Sequence, residues 1–163
     1  MQSCATCGPS GSFRNGFTLA AFQATQIVHD APPQLDLTAI RKEIDAFEAA
    51  GKKLNESIEA KLASGKVDPH LAATINHGMM QIERNWLNPD GIPGRPWFKH
   101  ILYGARFTYA HLELPGLTEA MEKQDWPTAK QQAEILRQAL ANNTKLLDGL
   151  NSSLKEETAD SVK

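Results

Sequence analysis

The side chains best suited to chemistry are two cysteines, Cys4 and Cys7, and five histidines, His29, His70, His77, His100 and His111. Cys4-Ala5-Thr6-Cys7 has the C-x-x-C spacing of a redox pair or of half a zinc site. A structural zinc site needs a second pair of ligands, and no other cysteine exists. The flanks are rich in Gly and Ser instead of forming a strand that feeds a helix, so the pattern reads as two free thiols in a tail. His111-Leu112-Glu113 matches the H-x-E half of a zinc deaminase but lacks the P-C-x-x-C half. The chain has no H-E-x-x-H, Walker, G-x-G-x-x-G or G-x-S-x-G motif. Glu83-Arg84 near a helix end reads as an ion pair or loop anchor, and Glu156-Glu157 as solvated tail. These residues name no catalytic group, no cofactor-binding group and no metal ligand.

Arg95 is the polar residue with the most to do. It lies among turn residues and aromatics in Asn88-Pro89-Asp90-Gly91-Ile92-Pro93-Gly94-Arg95-Pro96-Trp97-Phe98. A planar guanidinium there bonds loop carbonyls or a carboxylate and so pins the loop, with a partner contact as the second reading. Pro89, Pro93 and Pro96 each fix φ and lack an N–H, so no regular helix or central strand passes through. Asp90-Gly91 and Pro93-Gly94 read as turns with a left-handed glycine. A connection so rich in apolar side chains is expected to dock, with Arg95, Trp97 and Tyr103 structuring it. Trp86, Trp97 and Phe98 read as core, and Trp97–Tyr103 as a short helical turn.

Four amphipathic helices must position this connection. The first starts near Asp36 or Leu37, with Leu37, Ile40, Ile44, Phe47, Leu54, Ile58 and Leu62 as its seam and Ser64-Gly65 as its stop. The second has Asp68 as N-cap and Pro69 in its first turn, with Leu71, Ala72, Ile75, Met79, Ile82 and Trp86 facing inward. The third is short, from Pro115 to about Lys123. The fourth starts at Asp125 and buries Ala129, Ala133, Leu136, Leu140, Leu147 and Leu150, with Asn143 or Thr144 filling the gap. Phe17, Ala20, Ala21, Ala24 and Val28 recur at helical spacing before Ala31-Pro32-Pro33 breaks the pattern. No period-2 alternation is long enough to demand a sheet. The expected fold is all-α: a four-helix up-down bundle over residues 35–150, with a long ordered loop between helices 2 and 3. Residues 1–34 read as disordered or partly helical, and 151–163 as a flexible tail.

At 163 residues, 41% hydrophobic and 22% charged, the chain suits one globular domain with tails. A net charge of −2 without a basic block argues against nucleic acid as a partner. No apolar run is long enough to span a bilayer, and residues 1–24 do not form a convincing signal peptide, which leaves localisation open.

The order Glu83-Arg84-x-x-Leu87-x-Pro89-x-Gly91-x-Pro93-x-Arg95-Pro96, with Leu114-Pro115-Gly116 and Asp125-Trp126 downstream, resembles the transferrin receptor-like dimerisation domain. This is the C-terminal helical domain of the glutamate carboxypeptidase II and transferrin receptor family, and the resemblance covers roughly residues 37–150. It implies a helical bundle that forms a homodimer with its copy. In full-length members the domain follows a di-zinc peptidase-like domain, which holds every zinc ligand and the catalytic carboxylate; zinc is therefore not expected on this chain. The resemblance also implies that the long loop folds over the peptidase pocket, where a Lys-Tyr pair meets acidic substrates. Thr108-Tyr109 falls at that place: Tyr109 keeps the pattern as a pocket-facing residue, and Thr108 removes the cation. The family's lead-in segment is not recognisable in residues 1–34, so a fragment or stand-alone remnant is expected. The functional expectation is a non-catalytic homodimerisation module. The alternative is an accessory segment of a glutamate carboxypeptidase-like exopeptidase, partnered by a separate peptidase domain.

Overall fold

The computed structural model describes residues 35–105 and 111–160, with side chains through Lys155. Four helices and one small hairpin make up these residues: α1 (Thr38–Ala63), α2 (Pro69–Arg84), β1 (Tyr103–Ala105), β2 (His111–Glu113), α3 (Pro115–Glu122) and α4 (Trp126–Asp160). The protein is mainly helical. The stretch around Phe17–Val28 lies outside the described residues.

Local chemistry sets the helix ends. The Asp36 carboxylate accepts the Thr38 N–H at 2.9 Å at the start of α1, and hydrogen bonding from the Thr38 side chain, together with this N–H, holds its pKa below the ordinary aspartate value. Asp68 accepts the His70 and Leu71 N–H groups at 3.2 and 3.4 Å, with Pro69 at the first helical position where no N–H is needed. Asp125 accepts the Thr128 N–H at 3.2 Å at the start of α4, and its pKa is lowered for the same reason. Gly65 closes the first turn with φ +65°. α1 runs unbroken through Gly51.

The helices differ greatly in length, and α4, with 35 residues, spans about 52 Å. It is the element on which α1, α2 and α3 all pack. Ile40, Ile44, Phe47 and Leu54 of α1 meet Leu136, Leu140, Leu147 and Leu150 of α4 in one buried cluster, joined by Leu117 and Ala120 of α3. Gly78 brings α2 close to α4: a Cβ there would lie 2.4 Å from a methyl of Leu150. Arg137 bridges the two long helices, donating to Glu134 of its own helix at 2.6 Å and to Glu43 of α1 at 3.4 Å.

Two expectations are corrected. α4 does not stop near residue 150 but continues to Asp160. Asn151 is 2% exposed and accepts the Ser57 hydroxyl at 2.6 Å, and Leu154 is 5% exposed. These two residues continue the inward face of the helix, and the polar residues between them lie on its solvent side. The second correction is the sheet. β1 and β2 pair antiparallel, Tyr103 with Glu113 and Ala105 with His111. Strands of three residues are too short for alternation to show in sequence. The register is continued by the Leu114 N–H, which donates to the Leu102 carbonyl at 2.7 Å.

Because Leu154 belongs to the core, Leu154→Ala should lower unfolding free energy by about 2–4 kcal/mol. Urea denaturation measures this; a change within about 0.5 kcal/mol is what a solvated tail would give.

Candidate docking face on the connector

The connector leaves α2 at a helix end that α4 holds. The Trp86 N–H turns back to the Glu83 carbonyl at 3.2 Å, so it does not reach the Ile82 carbonyl as a continuing helix requires. Asn143 of α4, fully buried, donates from Nδ2 to that Ile82 carbonyl at 3.3 Å. Its Oδ1 accepts from Asn85 Nδ2 at 2.7 Å. The indole of Trp86 then goes inward, 4% exposed, and meets the Phe47 ring edge-on with centroids 5.9 Å apart.

From there the chain runs out and back on itself. Asn88 N–H donates to the Lys99 carbonyl at 2.8 Å, and Ile101 N–H to the Trp86 carbonyl at 2.9 Å. Between these rungs Asn88 builds the turn: its Nδ2 donates to the Gly91 carbonyl at 2.6 Å, and its Oδ1 accepts the Asp90 N–H at 3.2 Å. Gly91 has φ +74°, and a Cβ on it would sit 2.4 Å from the Pro96 carbonyl oxygen. Only glycine fits there. A second turn, closed by Arg95 N–H to the Ile92 carbonyl at 2.9 Å, buries Ile92. Lys99 Nζ donates to the Pro89 carbonyl. No helical turn forms over Trp97–Tyr103; the residues go to an isolated bridge and then to β1.

Arg95 ties this loop to two other elements. Nη1 donates to the Ala105 carbonyl at the end of β1 at 2.6 Å, and Nη2 pairs with the Glu119 carboxylate of α3. Phe98 lies against Gly104, where a Cβ would be 2.8 Å from its ring. At the α2 side, Glu83 holds the returning strand. Leu102 N–H donates to His100 Nδ1 at 3.3 Å, so the imidazole proton sits on Nε2 and donates to Glu83 Oε1 at 3.0 Å. The Tyr103 hydroxyl donates to the same oxygen at 3.5 Å, and the Tyr103 and His100 rings stack at 3.9 Å between centroids.

The scaffold turns apolar side chains outward. Trp97 is 73% exposed and Tyr103 53%, with Met80 and Leu87 also exposed beside the Glu83 anchor. The expectation that Trp97 shares the core with Trp86 and Phe98 is thus corrected. Trp86 is buried and Phe98 half-buried, but Trp97 is a central residue of the next turn, closed by Phe98 N–H to the Arg95 carbonyl at 2.9 Å, and lies in solvent. Sequence reading gave Glu83 as an ion pair or loop anchor but missed its link to His100 and Tyr103, and gave Asn143 or Thr144 the gap in the α4 seam but missed the bond to the Ile82 carbonyl. The second had a signal: the seven-residue step from Leu140 to Leu147 leaves a core position to a polar residue. His111 and Glu113 are simply paired residues of β2, opposite Ala105 and Tyr103. Among the described residues, no three His, Cys, Asp or Glu side chains gather as a metal site. Cys4, Cys7, Thr108 and Tyr109 lie outside the described residues.

Comparison with known proteins fits a helical module with such a connector. Residues 35–148 match the family described as the transferrin receptor-like dimerisation domain. That match covers well over half of the chain, and the chain belongs to this family. It is 26% identical over 124 residues to a probable glutamate carboxypeptidase, LAMP1, of Arabidopsis thaliana, covering 71% of this chain and 18% of that protein. It is 36% identical over 79 residues to the inactive zinc metalloprotease C354.09c of Schizosaccharomyces pombe, covering 48% of this chain and 10% of the relative. It is 29% identical over 105 residues to the aminopeptidase NAALADL1 of Rattus norvegicus, covering 60% and 14% respectively. The chain spans less than a fifth of the length of these relatives. No described helix is long and apolar enough to cross a membrane.

Asn143→Leu keeps the branched shape but leaves the Ile82 carbonyl and the Asn85 amide without their partner. Unfolding free energy should fall by about 2–3 kcal/mol in urea denaturation. A change within about 0.5 kcal/mol would show that α2 does not need the bond to end where it does.

Proposed function

We propose that this chain is a non-catalytic self-association module whose copies meet through the connector face. The observation that carries this reading is the exposure of two aromatic side chains, Trp97 and Tyr103, 73% and 53% exposed, on a connector held by backbone hydrogen bonds. A tryptophan on a fixed turn loses little conformational freedom when a partner covers it, and such residues dominate interface energies. The family description, a dimerisation domain, supports the same conclusion. The up-down order of the helices belongs to this reading too, supported by the short connections at 64–68 and 123–125.

A second reading is favoured by the names of the relatives, which include a probable glutamate carboxypeptidase and an aminopeptidase. In it the same face seats on a peptidase body, supplied by another chain or by a longer form of this one, with Tyr109 toward the pocket. Zinc would then belong to that body.

Sedimentation equilibrium of the full chain separates the two. Self-association predicts dimer at about 10–100 μM and a dissociation constant raised about tenfold or more by Trp97→Ala. Monomer alone over that range would contradict it. A gain of zinc-dependent cleavage on mixing with a peptidase domain would favour the second reading instead.

A further inference from the structure

The methionines of the described residues are Met79 and Met80 on α2 and Met121 on α3. Met79 and Met121 are half-buried and pack against the core cluster. Met80 is 61% exposed. The two neighbours on α2 differ because consecutive helical positions point about 100° apart. Met79 continues the inward row of Ile75 and Ile82, and Met80 turns away from it.

That outward row leads to the connector. Glu83, three residues after Met80, shares its face of α2. Glu83 Oε1 receives the His100 imidazole at 3.0 Å and the Tyr103 hydroxyl at 3.5 Å. Leu87, also exposed, follows where the connector begins, and its backbone bridges to His100. Met80 on α2 and Tyr103 on β1 are thus tied to one carboxylate: the first shares its helical face, the second bonds to it. Met80 belongs to the face through which we read the copies as meeting.

A thioether at this place has two properties. It is soft, unbranched and apolar, which suits a contact between copies. It is also open to oxidation where solvent reaches the sulfur. With hydrogen peroxide the sulfur loses two electrons. The O–O bond breaks, one oxygen bonds to sulfur, and the other leaves as water. The product keeps the length of the side chain but carries a strong dipole that water solvates and an apolar contact does not.

We propose that Met80 is an oxidation site, and that its reversible conversion to the sulfoxide by peroxide weakens the association of this chain with its copy. The proposal rests on the self-association reading above. Met79 and Met121 oxidise later, because the core they pack against shields them.

The test treats the full chain with graded low doses of hydrogen peroxide and stops the reaction with catalase. Dithiothreitol then reopens any disulfide of Cys4 and Cys7 and leaves sulfoxides in place. Tandem mass spectrometry should find sulfoxide at Met80 before Met79 and Met121. Sedimentation equilibrium of that material should give a dissociation constant raised about tenfold or more, with the cooperative melting transition kept. Methionine sulfoxide reductases A and B should return it to the starting value. In Met80→Leu the ratio of the constants after and before peroxide should stay near one, whatever the starting value. Met80→Gln, a polar side chain of similar length, should show the raised constant without peroxide. Monomer alone before any oxidant is added would remove the self-association reading and this proposal with it. A dimer that persists unchanged with Met80 fully converted, or sulfoxide forming first at Met79 or Met121, would overturn this proposal alone.

Discussion

α2 ends at Arg84 because α4 takes over the hydrogen bond that the helix gives up. The Ile82 carbonyl loses its partner when Trp86 N–H turns to Glu83, and buried Asn143 replaces that partner. A buried carbonyl without a donor costs more than most surface contacts contribute, so this bond decides where the chain leaves the helix. Once Asn85 and Asn143 are joined, Trp86 is aimed at Phe47 and the next residue begins the connector. The placement of the whole loop follows from one amide on another helix.

The connector then has little freedom. Backbone rungs at Asn88–Lys99 and Trp86–Ile101, a turn that only Gly91 allows, and the two bonds of Arg95 fix it against β1 and α3. Glu83 holds the other margin through His100 and Tyr103. A connector with so few backbone groups left to water displays aromatic side chains without the ordering cost of a flexible loop. In the self-association proposed above, that is how an irregular segment of a small helical domain would serve as a docking surface. The prolines, glycines and arginine of this stretch are engaged in building its turns.

Much of this was legible in the sequence. Asp68-Pro69, Pro115 and Asp125 announce helix starts through side-chain and backbone chemistry that acts within three residues. The seams of α1 and α4 follow from helical spacing, and Arg95 stands out as a fork of donors among carbonyls. What was not legible depends on contacts distant along the chain. The hairpin Tyr103–Ala105 with His111–Glu113 is too short to leave a period, and its pairing is fixed by Leu114 N–H. Trp97 reads as core by composition, but it is a central residue of the turn that Phe98 N–H closes on the Arg95 carbonyl, and it is exposed there. The far end of α4 looks polar because, among its described side chains, only Asn151 and Leu154 face inward, and Asn151 is recognisable as core only once Ser57 is seen opposite it.

The central claim is that the connector is as firmly held as the helices it joins. Native-state hydrogen exchange at the Asn88 and Ile101 amides tests it most directly. Both N–H groups bond backbone carbonyls across the loop, and the account predicts that they exchange no faster than core amides of α4, near the limit set by global unfolding. Exchange at the rate of free loop amides, with α4 still protected, would contradict it.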